Sequence, residues 1–195
     1  MFGLRSFSPP EIDRAEIARY MRAPYESVVS LIEECLVEAI PVLSYRLVSD
    51  VFPVTFFEES RDNGLIDLCF AKIKSKDLAK NLTGCKRAVL FAATVGIGIE
   101  RLAAKYSLVS PSKSLCFEAI GSERAEALCD AFNAEVSAFF KNTAPRFSPG
   151  YGDLALEVQK DVFAALPCGR IGLALKSDLI MSPAKSVTAI IGIRG

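Results

Sequence analysis

The chain has 195 residues, 51% hydrophobic and 24% charged, proportions that fit one compact domain over residues 1–195 with a sizeable core. Lysine plus arginine and aspartate plus glutamate each number 23, leaving no overall charge to attract a nucleic-acid backbone or an anionic membrane. There is no histidine, which excludes a histidine general base, a Ser-His-Asp or Cys-His arrangement and any histidine metal ligand.

In chain order, Asp13 with Glu16 three residues later predicts a capped helix start, and Ile17, Tyr20 and Met21 give that helix a short apolar face. Pro24 opens a longer helix in which Val28, Ile32, Cys35, Leu36, Ala39 and Leu43 recur at the spacing of one buried stripe. From Tyr45 to Glu59 the residues turn β-branched and aromatic, predicting strand with a bend or edge position at Pro53. Asp62-Asn63-Gly64 is a turn, and Leu65 to Lys74 alternates as the returning arm of a hairpin, with Lys72, Lys74 and Lys76 on a solvated face. Ser75 predicts the cap of a short helix through Leu82, closed by Gly84.

Lys86 to Thr94 is a nearly continuous apolar run leading into Gly96-Ile97-Gly98 and a helix through Ile99, Leu102 and Ala103. Dinucleotide-binding units begin in the same way, but Arg101 replaces the third glycine and the βαβ alternation is not sustained, so a tight strand-to-helix turn in a central sheet is expected. Leu115 to Asn142 predicts the longest helix, with Ala119, Ala127, Leu128, Ala131, Phe132, Val136 and Phe139 available for its buried face and Gly121 a weak point. Asp153 is expected to cap a further helix carrying Leu156, Val158, Val162, Phe163 and Leu166 and ending at Pro167 and Gly169. Ile171–Leu175 and Val187–Ile193 are short and β-rich, with too few residues between them for a helical crossover, so they are expected to pair antiparallel. No repeat, low-complexity stretch or linker interrupts the chain, and the order of elements predicts α+β: a mainly antiparallel central sheet flanked by helices.

The six cysteines, at 35, 69, 85, 116, 129 and 168, lack paired C-x-x-C spacing; they are expected to be reduced and mostly buried, with no zinc, iron–sulfur cluster or corrinoid held by this chain. Met1 to Ser6 carry no long apolar run, and no later segment has eighteen uninterrupted apolar residues, so a cytoplasmic chain is expected.

Two clusters stand apart from this pattern of core and turn. Arg146-Phe-Ser-Pro-Gly-Tyr-Gly-Asp153 places a guanidinium and a phenol on either side of Pro149-Gly150, a turn in which the glycine can take positive φ. An arginine fork holds a carboxylate by two parallel bonds and a tyrosine offers an apolar face with a hydroxyl, a combination suited to a small zwitterion. Ordinary surface loops also pair an arginine with a Pro-Gly turn. The second cluster is Met181-Ser-Pro-Ala-Lys-Ser-Val-Thr188.

Arg146, Gly150 and Tyr151, in the pattern Arg-x-x-x-Gly-Tyr, resemble the activation (reactivation) domain of vitamin B12-dependent methionine synthase, and Met181, Pro183, Ser186, Val187 and Thr188 resemble that family's Met-x-Pro-x-x-Ser-Val-Ser/Thr pattern. Ile73–Ala79, Ala92-Ala-Thr-x-Gly96 and Ala125-Glu-Ala-Leu128 resemble its short, free-standing members, so the likeness runs from about Ile12 onward. The resemblance implies S-adenosylmethionine as ligand. Arg146 would clamp its carboxylate, Glu126 would meet its ammonium, and Tyr151 would face the sulfonium or the adenine. Groups near Ser148, Pro149 and Gly150 would serve the adenine or the amino acid end. Glu126 also fits a plain exposed helical carboxylate.

The function implied is support for reductive methylation of a cobalamin carried by a partner, a corrinoid-binding methionine synthase or methyltransferase component, with an electron from a flavodoxin-type donor. No nucleic acid or membrane partner is expected. Two other readings are a non-catalytic module for corrinoid-protein assembly and a stand-alone S-adenosylmethionine-dependent small-molecule methyltransferase. The latter lacks a nucleophile-activating base beside the loop.

Overall fold

The computed structural model describes residues 3–57 and 63–194. Strand β1 (Gly3–Ser6) leads through a strap to helices α1 (Arg14–Tyr20) and α2 (Tyr25–Ala39). Next come β2 (Arg46–Pro53), the short strands β3 (Thr55–Phe56), β4 (Leu65–Asp67) and β5 (Lys72–Lys74), and helix α3 (Lys76–Asn81). Strand β6 (Cys85–Thr94) is followed by α4 (Gly98–Tyr106) and the long α5 (Pro111–Phe140), and then by α6 (Val158–Ala165), β7 (Ala174–Leu175), β8 (Met181–Ser182) and β9 (Ser186–Arg194).

Local signals act as their chemistry predicts. The Asp13 side chain accepts the Glu16 N–H at 3.0 Å, and Ser75 Oγ accepts the Leu78 N–H at 3.0 Å, each satisfying a free donor of a first turn. In α2 the buried residues are Ile32, Cys35, Leu36 and Ala39, whereas Leu43 lies past the helix, beyond a 3-10 turn. Five of the six cysteines are buried and Cys69 is exposed.

The main sheet is antiparallel, in the order β1-β2-β6-β9. Its alternate side chains enter two cores. From β6, Val89, Phe91 and Ala93 face the core built with α1, α2, α4 and α5, while Ala88, Leu90 and Ala92 face a second core with α3, α6 and the β3-β4-β5 hairpin layer. Burial on both faces explains why β6 reads as a continuous apolar run rather than an alternating one. The α+β prediction therefore holds, with helices on one face and a mixed layer on the other.

Four expectations are corrected. The returning arm after Gly64 is two strands, because Leu68–Ala71 turns back on itself with Cys69 at positive φ, and β4 pairs with both β3 and β5. Glu59 and Asp62, where the strand and its turn were expected to end and begin, lie outside the described residues. Phe139 is 60% exposed, while its neighbour Phe140 takes the core-facing position and lies beneath Arg87 of β6. The two C-terminal β segments do not pair: β9, apolar on both faces, lies beside β6, and the small hairpin joins β7 to β8. A strand buried on both sides gains most next to the central strand, which a two-residue partner cannot replace.

The fourth correction concerns Asp153, which does not cap the helix that follows it. Its carboxylate accepts from Ser75 Oγ and from the backbone N–H groups of Lys76 and Asp77, at 2.8 and 3.2 Å, while its own N–H donates to Asp77. It thus anchors the 146–153 loop to the N-terminus of α3, where a negative charge is favoured. The Ser75 hydrogen bond, aided by those of Lys76 and Asp77, holds the Asp153 carboxyl below its usual range. A depressed carboxylate stabilises the fold above its unfolded pKa of roughly 3.9, and the contribution is lost as pH falls through the folded value. Asp153→Asn should therefore lower the melting temperature at neutral pH, and the gap from wild type should close between about pH 5 and pH 2. A gap that stays constant on acidification would show that Asp153 acts through neutral hydrogen bonding alone.

Candidate functional site

The long helix brings two carboxylates to one face, since Glu126 and Asp130 are four residues apart on α5. Opposite them, the chain leaving α5 runs alongside β9. Ala144 N–H donates to Gly192 O at 2.8 Å, and Phe147 exchanges backbone hydrogen bonds with Ile190 at 2.8 and 2.9 Å. Those bonds cover the open edge of β9 and set Arg146 and Ser148 on either side of the Phe147–Ile190 pairing. Asn81 adds a side-chain bond to Pro145 O at 3.1 Å.

The segment preceding β9 is held from the other side. Glu100 of α4 accepts from the backbone N–H groups of Ala184 and Lys185, and Lys185 Nζ reaches Glu118 at 2.7 Å and Ser122 at 3.0 Å on α5. Gly121 has a packing role there besides weakening the helix, because an added Cβ would stand 2.9 Å from Lys185 Cγ and 3.2 Å from Ile99 Cγ2, so a side chain would have to shift.

Between these supports lies a cleft of about 360 Å³, within the usual range for small-molecule sites. Glu126, Arg146, Ser148, Pro149 and Tyr151 line one part, and Gln159, Met181, Ser186, Val187 and Thr188 line the rest. Both clusters singled out in the sequence therefore converge, with Glu126 opening onto the same concavity. Tyr151 is 66% exposed at the rim.

Gly150 does not line the cleft. It holds the turn at φ +90°, donates its N–H to Leu154 O at 2.9 Å and faces Leu156, so its contribution is to shape the loop. The Tyr151 N–H is likewise occupied, by Ser148 O at 3.1 Å.

The Arg146 guanidinium is half-buried and bonded to both carboxylates of α5, through Nη2 to Glu126 and through Nη1 to Asp130. Burial opposes its charge, but the Asp130 hydrogen bond and the surrounding anions outweigh that and raise its pKa. Behind the cluster, burial pushes the Cys129 thiol up to about 12, so a thiolate nucleophile is not available at neutral pH. The site contains a cation, two carboxylates, hydroxyls and an apolar floor, which can bind and orient a zwitterion.

Two residues escaped the sequence, Asp130 beside the cleft on Arg146 and Gln159 in its lining. Asp130 was detectable only as the carboxylate one turn beyond Glu126. Gln159 gave no signal, because it sits between the apolar positions of α6, yet it is 6% exposed and its Oε1 accepts from Thr188 Oγ1 at 3.4 Å.

No family model matches the chain, and no curated protein matches it. Among solved structures the chain is similar to the MetH reactivation domain bound to AdoHcy, with a TM-score of 0.62 and 15% identity over 99% of this chain and 79% of that one. At that identity the likeness is one of fold: α+β, with an antiparallel sheet flanked by helices.

Proposed function

We propose that this chain is an S-adenosylmethionine-binding subunit that supports reductive methylation of a cobalamin held by a partner, a corrinoid-binding methionine synthase or methyltransferase component. The observation that carries the reading is the convergence of Glu126, Arg146, Ser148, Pro149 and Tyr151 with the Met181–Thr188 segment on one cleft. The similarity in fold to a domain described as bound to AdoHcy supports it.

The residues fit such a ligand. Arg146 and Glu126 already form an ion pair, and the carboxylate and ammonium of an amino acid match these two charges in reverse, so ligand binding exchanges one internal pair for two intermolecular ones. Tyr151 at the rim can face a sulfonium, a contact worth about 0.5–2 kcal/mol depending on desolvation. Ser148, Thr188 and Gln159 supply hydrogen-bonding groups beside an apolar floor that includes Met181 and Val187.

The bound ligand supplies an activated methyl group, whose proposed acceptor is the reduced cobalt of the partner's cofactor, with the electron coming from a flavodoxin-type donor. The chain's own task is to bind, orient and shield, which needs no acid or base. With no histidine in the chain, any histidine beneath the cobalt comes from the partner.

Calorimetry with S-adenosylmethionine, followed by reductive methylation of a corrinoid protein with and without this chain, tests the reading. Saturable binding and chain-dependent methylation are expected. Binding without stimulation of any corrinoid protein would remove the reactivation role, and absence of binding would favour the assembly reading. Turnover of a small acceptor with no corrinoid present would favour the stand-alone methyltransferase.

Asp130 gives a further expectation. Its side chain is 72% exposed and competes with the ligand carboxylate for Arg146. Asp130→Ala should therefore tighten binding by up to about fivefold, the range of an exposed ion pair at roughly 0.2–1 kcal/mol. Weaker binding in the calorimeter would show that Asp130 orients Arg146 instead.

A further inference from the structure

A second concavity lies on the other side of the Met181–Thr188 segment. Its volume is about 600 Å³, and it is built where the Gly96–Gly98 turn meets the chain entering β2, with Pro183 closing one side. Three cations from two elements line it: Arg46 at the start of β2, and Arg101 and Lys105 on α4. Among the described residues no acidic side chain lines it, although the chain as a whole balances 23 cations against 23 anions.

Arg5, Arg14, Arg19, Arg124 and Arg146 each have a carboxylate partner, whereas Arg46 and Arg101 share one concavity without one. Among the described residues, Arg46 and Arg101 have neither an ion pair nor a side-chain hydrogen bond. Lys105 is only loosely neutralised, by Glu38 at 3.6 Å. The remaining walls include Ile97, Leu102 and Pro183. Ile97 is 39% exposed, an apolar surface left open in the concavity.

The glycines explain how the space is kept open and the backbone close. An added Cβ at Gly98 would stand 2.3 Å from Val42 O, and one at Gly96 would stand 2.4 Å from Ser44 Oγ. The turn is therefore pressed onto the Val42–Ser44 chain, which sets Arg46 near the first turns of α4.

We infer that this cleft binds a small phosphate ester, its phosphate held by Arg46 and Arg101 and its apolar part against Ile97, Leu102 and Pro183. Two forked guanidiniums suit the several oxygens and double charge of a phosphate monoester, and Lys105 adds a point charge. A monocarboxylate would leave most of that charge uncompensated. The apolar wall distinguishes an ester from the free ion. The inference stands apart from the S-adenosylmethionine site, sharing with it only the segment that runs between the two clefts.

Two-dimensional amide NMR on the full chain provides the test, with phenyl phosphate, inorganic phosphate and benzoate as probes. Phenyl phosphate should shift the Gly96 and Gly98 resonances saturably, and benzoate should do so at least about tenfold more weakly. Arg46→Gln and Arg101→Gln, both at exposed positions, should each weaken the phenyl phosphate response about tenfold. Arg87→Gln, near the opposite end of β6 from this cleft, should leave it unchanged, and unaltered spectra elsewhere report that each variant is folded. No saturable shift at these glycines, or shifts insensitive to both variants, overturns the inference. Inorganic phosphate binding as tightly as phenyl phosphate overturns the assignment to an ester.

Discussion

Replacing Arg124 with methionine is expected to cost about 3–5 kcal/mol of folding stability, the scale on which a buried ion pair is broken from one side. The Arg124 side chain has no exposed surface and that of Glu123 is 4% exposed. Arg124 binds the Glu123 carboxylate through Nε and Nη2 and also donates to Pro10 O and Glu11 O, while Glu123 accepts the Asp13 N–H at 3.1 Å. The pair ties the strap between β1 and α1 to the middle of α5, so its loss leaves a buried carboxylate unpaired and releases two backbone carbonyls. Methionine fills similar space without a donor. Chemical denaturation should show the loss at neutral pH, and Arg124→Met with Glu123→Gln should recover part of it by removing the stranded charge. A single variant within about 1 kcal/mol of wild type would show that water reaches Glu123 and replaces the guanidinium.

That pair also shows where a sequence stops being legible. Adjacent Glu123 and Arg124 look like two surface charges in the middle of a helix, and only the strap, more than a hundred residues earlier, buries them. The features that could be read are those decided locally. The caps at Asp13 and Ser75, the stripe of α2 and the apolar run of β6 each follow from hydrogen bonds within one turn or from a period of side chains. The misread features are choices between distant partners. Asp153 has the chemistry of a cap, but nothing near it specifies that α3 rather than the following helix offers the free N–H groups. The apolar pattern of β9 indicates burial without naming β6 as its neighbour. The cleft lies between these cases. Arg146 stands out by its chemistry beside the Pro149-Gly150 turn and Glu126 by resemblance to a family pattern, and their meeting across twenty residues is a tertiary fact, made by the pairing of 143–147 with β9.

Arg146→Ala should weaken S-adenosylmethionine binding by about 1.5–3 kcal/mol, the loss of a charge-assisted and partly desolvated contact. The cost to folding should be small, because the two carboxylates it leaves behind are 42% and 72% exposed and water can solvate both. Affinity and stability therefore separate in this variant, which a residue acting only as a structural tie would not show. Arg146→Lys should restore part of the affinity, since an ammonium can meet a carboxylate but cannot hold it by two parallel bonds. Gly150→Val offers a contrast. It introduces a β-branched side chain at φ +90° with Leu156 3.4 Å from the new Cβ, so binding should fall through distortion of the loop and stability should fall with it. Calorimetry on wild type and the three variants, each with its melting temperature, distinguishes these outcomes. Wild-type affinity retained in Arg146→Ala would place the ligand elsewhere, because among the described residues no other cation lines this cleft to receive its carboxylate.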